Sequence, residues 1–161
     1  MGGLQYLLAA MIVVPLVGGI AISILPRAQH HLARPFSLVL AGANLLAASW
    51  LWASFDRARG GMQFTLNLTW IPELGTAFHL GVDGLALPMV FLTALLTVLA
   101  VIASRNVEDR TAQYFTLLLM LEAGLIGVFV SLDLLLFYLF WEVVLIPMLS
   151  LIHISEPTRP Y

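Results

Sequence analysis

Long apolar runs alternate with short polar connectors along this chain, and the spacing predicts helices that cross a bilayer. The first run, Leu4 to Leu25, carries no charge and matches the roughly 20 residues that a transmembrane helix requires. It is too long for a signal peptide and lacks a basic leader. Pro15 and Gly18-Gly19 lie inside it, and membrane helices tolerate both. A connector with Arg27, His30, His31 and Arg34 leads to a second run over 36–55, where Trp50 and Trp52 fit the interfacial aromatic belt. Asp83-Gly84 opens a third run over 85–103. A charged connector at 104–111 precedes a fourth over 112–130, and Ser131-Leu132-Asp133 forms a tight turn before the fifth, Leu134 to Met148.

One segment breaks this pattern. Phe64, Leu66 and Leu68 alternate with Gln63, Thr65, Asn67 and Thr69, a period of two that predicts a strand. Pro72 and Gly75 supply turn chemistry, and Thr76 to Leu80 can return as a second strand. The expectation is a small extramembrane β-hairpin at about 62–82, with a re-entrant loop as the alternative. The fold class expected is therefore an all-α membrane protein with about five transmembrane helices (4–25, 36–55, 85–103, 112–130, 134–148) and this hairpin.

Composition narrows the field. The 161 residues are 61% hydrophobic and only 10% charged, with a mean hydropathy of +0.99. Soluble domains carry about 25% charged residues, so a soluble enzyme and a disordered tail are both excluded. A net charge of −2 leaves no basic footprint for nucleic acid. Cysteine is absent, which removes disulfides and cysteine-ligated metals. His30, His31 and His79 lack the i, i+4 spacing of helical ligands, so neither metal nor haem is expected. All seven basic residues are Arg; a lysine-dependent step cannot be completed within these residues. The two short connectors hold four Arg against Arg57 and Arg59 on the other side. The positive-inside rule then places the N-terminus and the hairpin outside the cytoplasm.

Two acids within the spans stand out, because an ionisable group near the bilayer centre costs about 2.5–3.5 kcal/mol. Glu142 lies nine residues beyond Asp133, about 14 Å deep at 1.5 Å per residue. Glu122 lies eleven residues beyond Thr111, about 16 Å from the other side. Both fall near the midplane of a core about 30 Å thick. For Glu142 the midplane depth favours a proton relay; for Glu122 a relay and a packing contact both stay open. Asp83 and Asp133 precede helices and read as caps. Pro147 is expected to kink the fifth helix beside Glu142, and Gly124 and Gly127 to allow close helix approach.

The string Leu149 to Arg159 matches, over eleven consecutive residues, the in-frame translation of a transposase-type sequencing adapter. Residues 149–161 are accordingly expected to be read-through rather than native chain, leaving the fifth span cut at Met148.

The stretch Gly124–Met148, with its Phe140-Trp141-Glu142 and Pro147-Met148 blocks, resembles the fourth and fifth helices of the antiporter-like membrane subunits of proton-pumping NADH:quinone oxidoreductase, respiratory complex I. Phe78-His79-Leu80-Gly81-Val82-Asp83-Gly84 through Pro88-Met89 is similar to the third-helix entry of the M-type (chain 4) branch. The resemblance implies a fourteen-helix subunit of the bacterial cell membrane with two inverted five-helix repeats, of which residues 1–148 would be the N-terminal part. It implies that Glu142 pairs with a lysine on the seventh helix and switches charge as that lysine titrates. It does not carry a role for Glu122. It further implies that protons, lipid and other membrane-arm subunits are the partners. No cofactor is then expected on this chain, since NADH, FMN, iron–sulfur clusters and quinone belong to other parts of the complex. Homologous subunits of multi-subunit Na⁺/H⁺ antiporters, membrane-bound hydrogenases and photosynthetic complex I-like enzymes share the scaffold. A structural bundle without transport is the remaining alternative.

Overall fold

In the computed structural model, residues 3–105, 107 and 110–155 are described. Five helices carry the fold: α1 (Leu4–Ile24), α2 (Ala33–Ser54), α3 (Ala86–Ala103), α4 (Thr111–Val130) and α5 (Leu134–Ser155). Each is long and apolar enough to cross a membrane. A 3₁₀ turn, Arg27–Leu32, joins α1 to α2. Strands β1 (Gln63–Ile71) and β2 (Thr76–Val82) pair antiparallel between α2 and α3, as the period-two pattern predicts. Their connection is a single 3₁₀ turn ending at Gly75, whose φ of 64° favours glycine. At the other end of the hairpin the register shifts between Gln63 and Leu66, and Phe64 takes φ 54° there. That is a strained bulge for a bulky residue.

α1 lies along α4, α2 along α3, and α5 packs on α4. Tertiary contact in lipid comes from close packing and interhelical hydrogen bonds, and both occur here. Gly19 lets α1 approach α4: a Cβ at that position would stand 3.1 Å from the Thr116 carbonyl oxygen, and the Thr116 hydroxyl donates to the Gly19 carbonyl at 2.9 Å. Gly127 serves α5 in the same way, because a Cβ there would collide with the Phe140 ring.

The two ends of the bundle are fastened differently. At the connector end, Arg34 reaches from the first turn of α2 to the Val101 and Ile102 carbonyls (3.4 and 3.3 Å). A cation that is unfavourable at its own helix N-terminus thereby caps the C-terminus of α3. At the hairpin end, the Leu132 amide donates to the His79 carbonyl at 2.8 Å and Leu80 bridges to Ser131, so the α4–α5 turn extends the edge of β2. Asp83 accepts from the Leu85 and Ala86 amides (3.1 and 2.7 Å) and caps α3.

Two boundaries differ from the sequence expectation. α2 starts at Ala33, three residues early, because the Arg34 side chain finds carbonyl partners on α3 and need not stay in a loop. α5 runs past Met148 to Ser155: Leu149, Leu151 and Ile152 are apolar and add another turn and more. Residues 156–161 of the expected tail lie outside the described residues.

Candidate functional site

The two span acids sit on consecutive antiparallel helices joined by Ser131–Asp133. Glu122 lies nine residues before Ser131 and Glu142 nine after Asp133, so both stand about 14 Å from the turn. The two acids are thus equally far from their shared turn on two regular helices. They do not share a site.

α5 meets α4 through Phe140, Val143 and Val144, which stand against Gly127 and Gly124. Glu142 falls two residues from both Phe140 and Val144, about 200° around the helix from each at 100° per residue, and it is exposed. Tyr138, one turn earlier, shares that face and sets its hydroxyl against the Glu142 carboxylate. Around them lie Trp141, Ile146 and Leu149, also exposed. α5 therefore presents an acid and a phenol within an apolar face that no described residue covers. Pro147 is buried, and α5 continues through it as helix.

Glu122 points the opposite way, into the bundle, and is 1% exposed. Its environment depends on a residue that the sequence did not single out. Pro15 has no N–H, so the Met11 carbonyl loses its helical partner. The Asn44 amide of α2 crosses to donate to that carbonyl at 3.0 Å. Asn44 also stands beside the Glu122 carboxyl, although neither Glu122 oxygen has a partner at full hydrogen-bonding geometry. The signal was available: a proline inside one span and a lone asparagine inside the next invite such a pairing. On its other side Glu122 lines a groove of about 380 Å³ between α3 and α4, together with Thr93 and Thr97.

Asp133 holds the turn in place. Its carboxylate accepts from the Leu135 and Leu136 amides (2.8 and 3.2 Å), capping α5, and from Ala77 of β2 at 3.3 Å. The Leu136 amide foremost holds its carboxyl below the usual carboxylate range, with the Ala77 and Leu135 amides and the nearby His79 acting in the same sense. The cap expected from sequence is thus present, with a hairpin contact added. No group of three or more His, Cys, Asp or Glu suited to a metal occurs among the described residues.

No family model matches the chain. Individual proteins do. It is 36% identical, over 96% of its length, to NAD(P)H-quinone oxidoreductase chain 4 1 of Synechococcus elongatus, and equally to the protein of that name from a Nostoc species. The chain is a homologue of that subunit over the part it matches. It spans 29% of the length of these relatives. Among solved structures, respiratory complex I from Thermus thermophilus with bound NADH superposes with a TM-score of 0.75 at 29% identity, covering 89% of this chain and 28% of that one. The membrane-bound sulfane sulfur reductase, an archaeal respiratory membrane complex, reaches 0.73 at 20% identity over 89% of this chain and 22% of that one. The second likeness speaks for the fold alone. The curated relatives and the five apolar helices agree with a multi-pass membrane protein.

Proposed function

We propose that the chain works within the membrane arm of an NADH:quinone oxidoreductase, where electron transfer from NADH to quinone drives proton translocation. Glu142 is the charge-switching carboxylate of that step. The observation that carries this reading is an acid in the middle of an apolar helix, on the uncovered face of α5. Left against lipid it would cost about 2.5–3.5 kcal/mol, so a protein partner belongs there. Relatives more than three times the length of this chain have helices to supply one. A lysine on one of them gives the cation that the resemblance implies, and its approach or withdrawal shifts the carboxylate's affinity for a proton. Tyr138 orients the carboxylate from the same face. NADH, FMN, iron–sulfur clusters and quinone act in other subunits, and the neighbours of this chain are membrane-arm subunits and lipid. The N-terminus and hairpin face away from the cytoplasm of a bacterial cell.

The test is Glu142→Gln in the full-length subunit, assembled in its complex. Protons pumped per NADH oxidised fall to near zero while the complex still assembles. Retained pumping would return the chain to a structural bundle. A second reading, a subunit of another complex on the same scaffold, is favoured by the shared fold of the sulfane sulfur reductase; NADH-driven quinone reduction by the purified complex separates the two. Residues 149–161 are adapter-derived in this reading. A helix through 149–155 suits either origin, and genomic DNA read across the Met148 codon decides it.

A further inference from the structure

The Glu142 reading leaves the buried acid unused. Glu122 is enclosed, its two oxygens lack hydrogen-bond partners among the described residues, and it borders the α3–α4 groove. No cation faces it from any helix packed around it. α1 and α3 contain no charged residue. Arg34 of α2 places its guanidinium on the α3 carbonyls at the connector end. Glu142 of α5 faces outward, and Asn44 donates to Met11. A charge at Glu122 would therefore be uncompensated while its oxygens are covered.

Two threonines interrupt the apolar wall of the groove. Thr93 and Thr97 donate their hydroxyl protons to the Met89 and Thr93 carbonyls (2.8 and 3.0 Å), which leaves their oxygens free to accept. Ser104 continues the row: steps of four and seven residues put all three on one face of α3. Ser104 donates to Ala100 and accepts from the Tyr114 hydroxyl at 2.8 Å, where α3 meets the start of α4. Thr93 and Thr97 thus lie on the groove beside Glu122, and the Ser104–Tyr114 pair stands about 10 Å beyond Thr97 toward the connector end, past the apolar stretch 98–103.

We propose that Glu122 is a second proton-exchanging carboxyl, separate from Glu142, that releases and regains its proton through the α3–α4 groove toward the connector end. While its oxygens are covered the acid carries its proton. When water enters, the O–H bond breaks, the electron pair stays on the carboxylate, and the proton passes to water beside Thr93 and Thr97. It then leaves past the Ser104–Tyr114 pair. The groove's volume of about 380 Å³ has room for several waters at about 30 Å³ each; its wall is almost wholly apolar and the carboxyl oxygens are covered, so water reaches them only as α3 and α4 separate. The ligand is a proton carried by water.

Infrared difference spectra of the full chain in phosphatidylcholine–phosphatidylglycerol nanodiscs, in H₂O and D₂O, test this. The expected result is a protonated-carboxyl band that shifts in D₂O, persists in Glu142→Gln and disappears in Glu122→Gln. Should Glu122→Gln fail to fold, Glu122→Asp assigns the band by moving it. Thr93→Val combined with Thr97→Val slows the D₂O shift about tenfold at unchanged helix content. Absence of a Glu122 band at neutral pH, or a band that does not shift over a day, overturns the proposal. An exchange rate indifferent to both threonines overturns the route. Failure here leaves the Glu142 reading intact, since pumping is measured separately.

Discussion

α4 and α5 are antiparallel neighbours of nearly equal length, each with one glutamate at the same distance from their shared turn. Of the apolar span in α4, 61% is buried within the chain; of that in α5, 17%. α4 touches α1, α2, α3 and α5, whereas α5 rests on α4 and the hairpin. One acid is consequently enclosed by helices and the other stands on an open face. Depth in the membrane, which sequence gives, does not determine the surroundings of an acid; the number of helices around it does.

The largest expected effect comes from separating the two helices. Gly127→Leu drives a side chain into the Phe140 ring and should destabilise the chain by about 3 kcal/mol, read as an earlier transition in SDS titration of mixed micelles. An unchanged midpoint would mean that α5 does not pack on α4 as described. Next is Asn44→Leu, which orphans the Met11 carbonyl at a cost of about 2 kcal/mol. Combined with Pro15→Ala, which restores an N–H to that carbonyl, most of the loss should return; a purely additive pair would break the link between Pro15 and Asn44.

A smaller effect should appear only in acid. Asp133 ionises more readily folded than unfolded, because the Leu136, Ala77 and Leu135 amides favour its charged form. Its contribution is therefore complete above the ordinary carboxylate range and declines as pH falls through its lowered value. Asp133→Asn should flatten that acid limb, with little change in shape at neutral pH; an identical pH profile would show that the amides do not hold the carboxylate. The smallest effect concerns the buried glutamate. Glu122→Met should shift stability by less than about 1 kcal/mol because no full hydrogen bond is lost. A loss of several kcal/mol in Glu122→Met would recast that acid as a structural lock between α2 and α4.

Much of the architecture was legible because its signals are local. Apolar runs of span length, the period-two stretch at Phe64–Leu68, the turn at Gly75 and the capping aspartates Asp83 and Asp133 depend on neighbouring residues, and the structure places each as expected. The end of α5 was less legible. His153 enters an otherwise apolar run, yet its ring bonds the Leu149 carbonyl at 3.0 Å and lets the helix continue. Asn44 was missed because its partner is defined by a proline 29 residues earlier, a relation visible only across two helices.

The sequence by itself determined five spans, a hairpin, the depth of both acids and the ends they lie between. It did not determine which way either acid faces. A helix that is apolar all round lacks the polar stripe that would reveal its orientation, and α4 and α5 are both of that kind. Only packing decided it: Gly19, Gly124 and Gly127 set which helix surfaces can approach. That choice turned Glu122 inward beside Asn44 and the α3–α4 groove, and left Glu142 on the open face of α5.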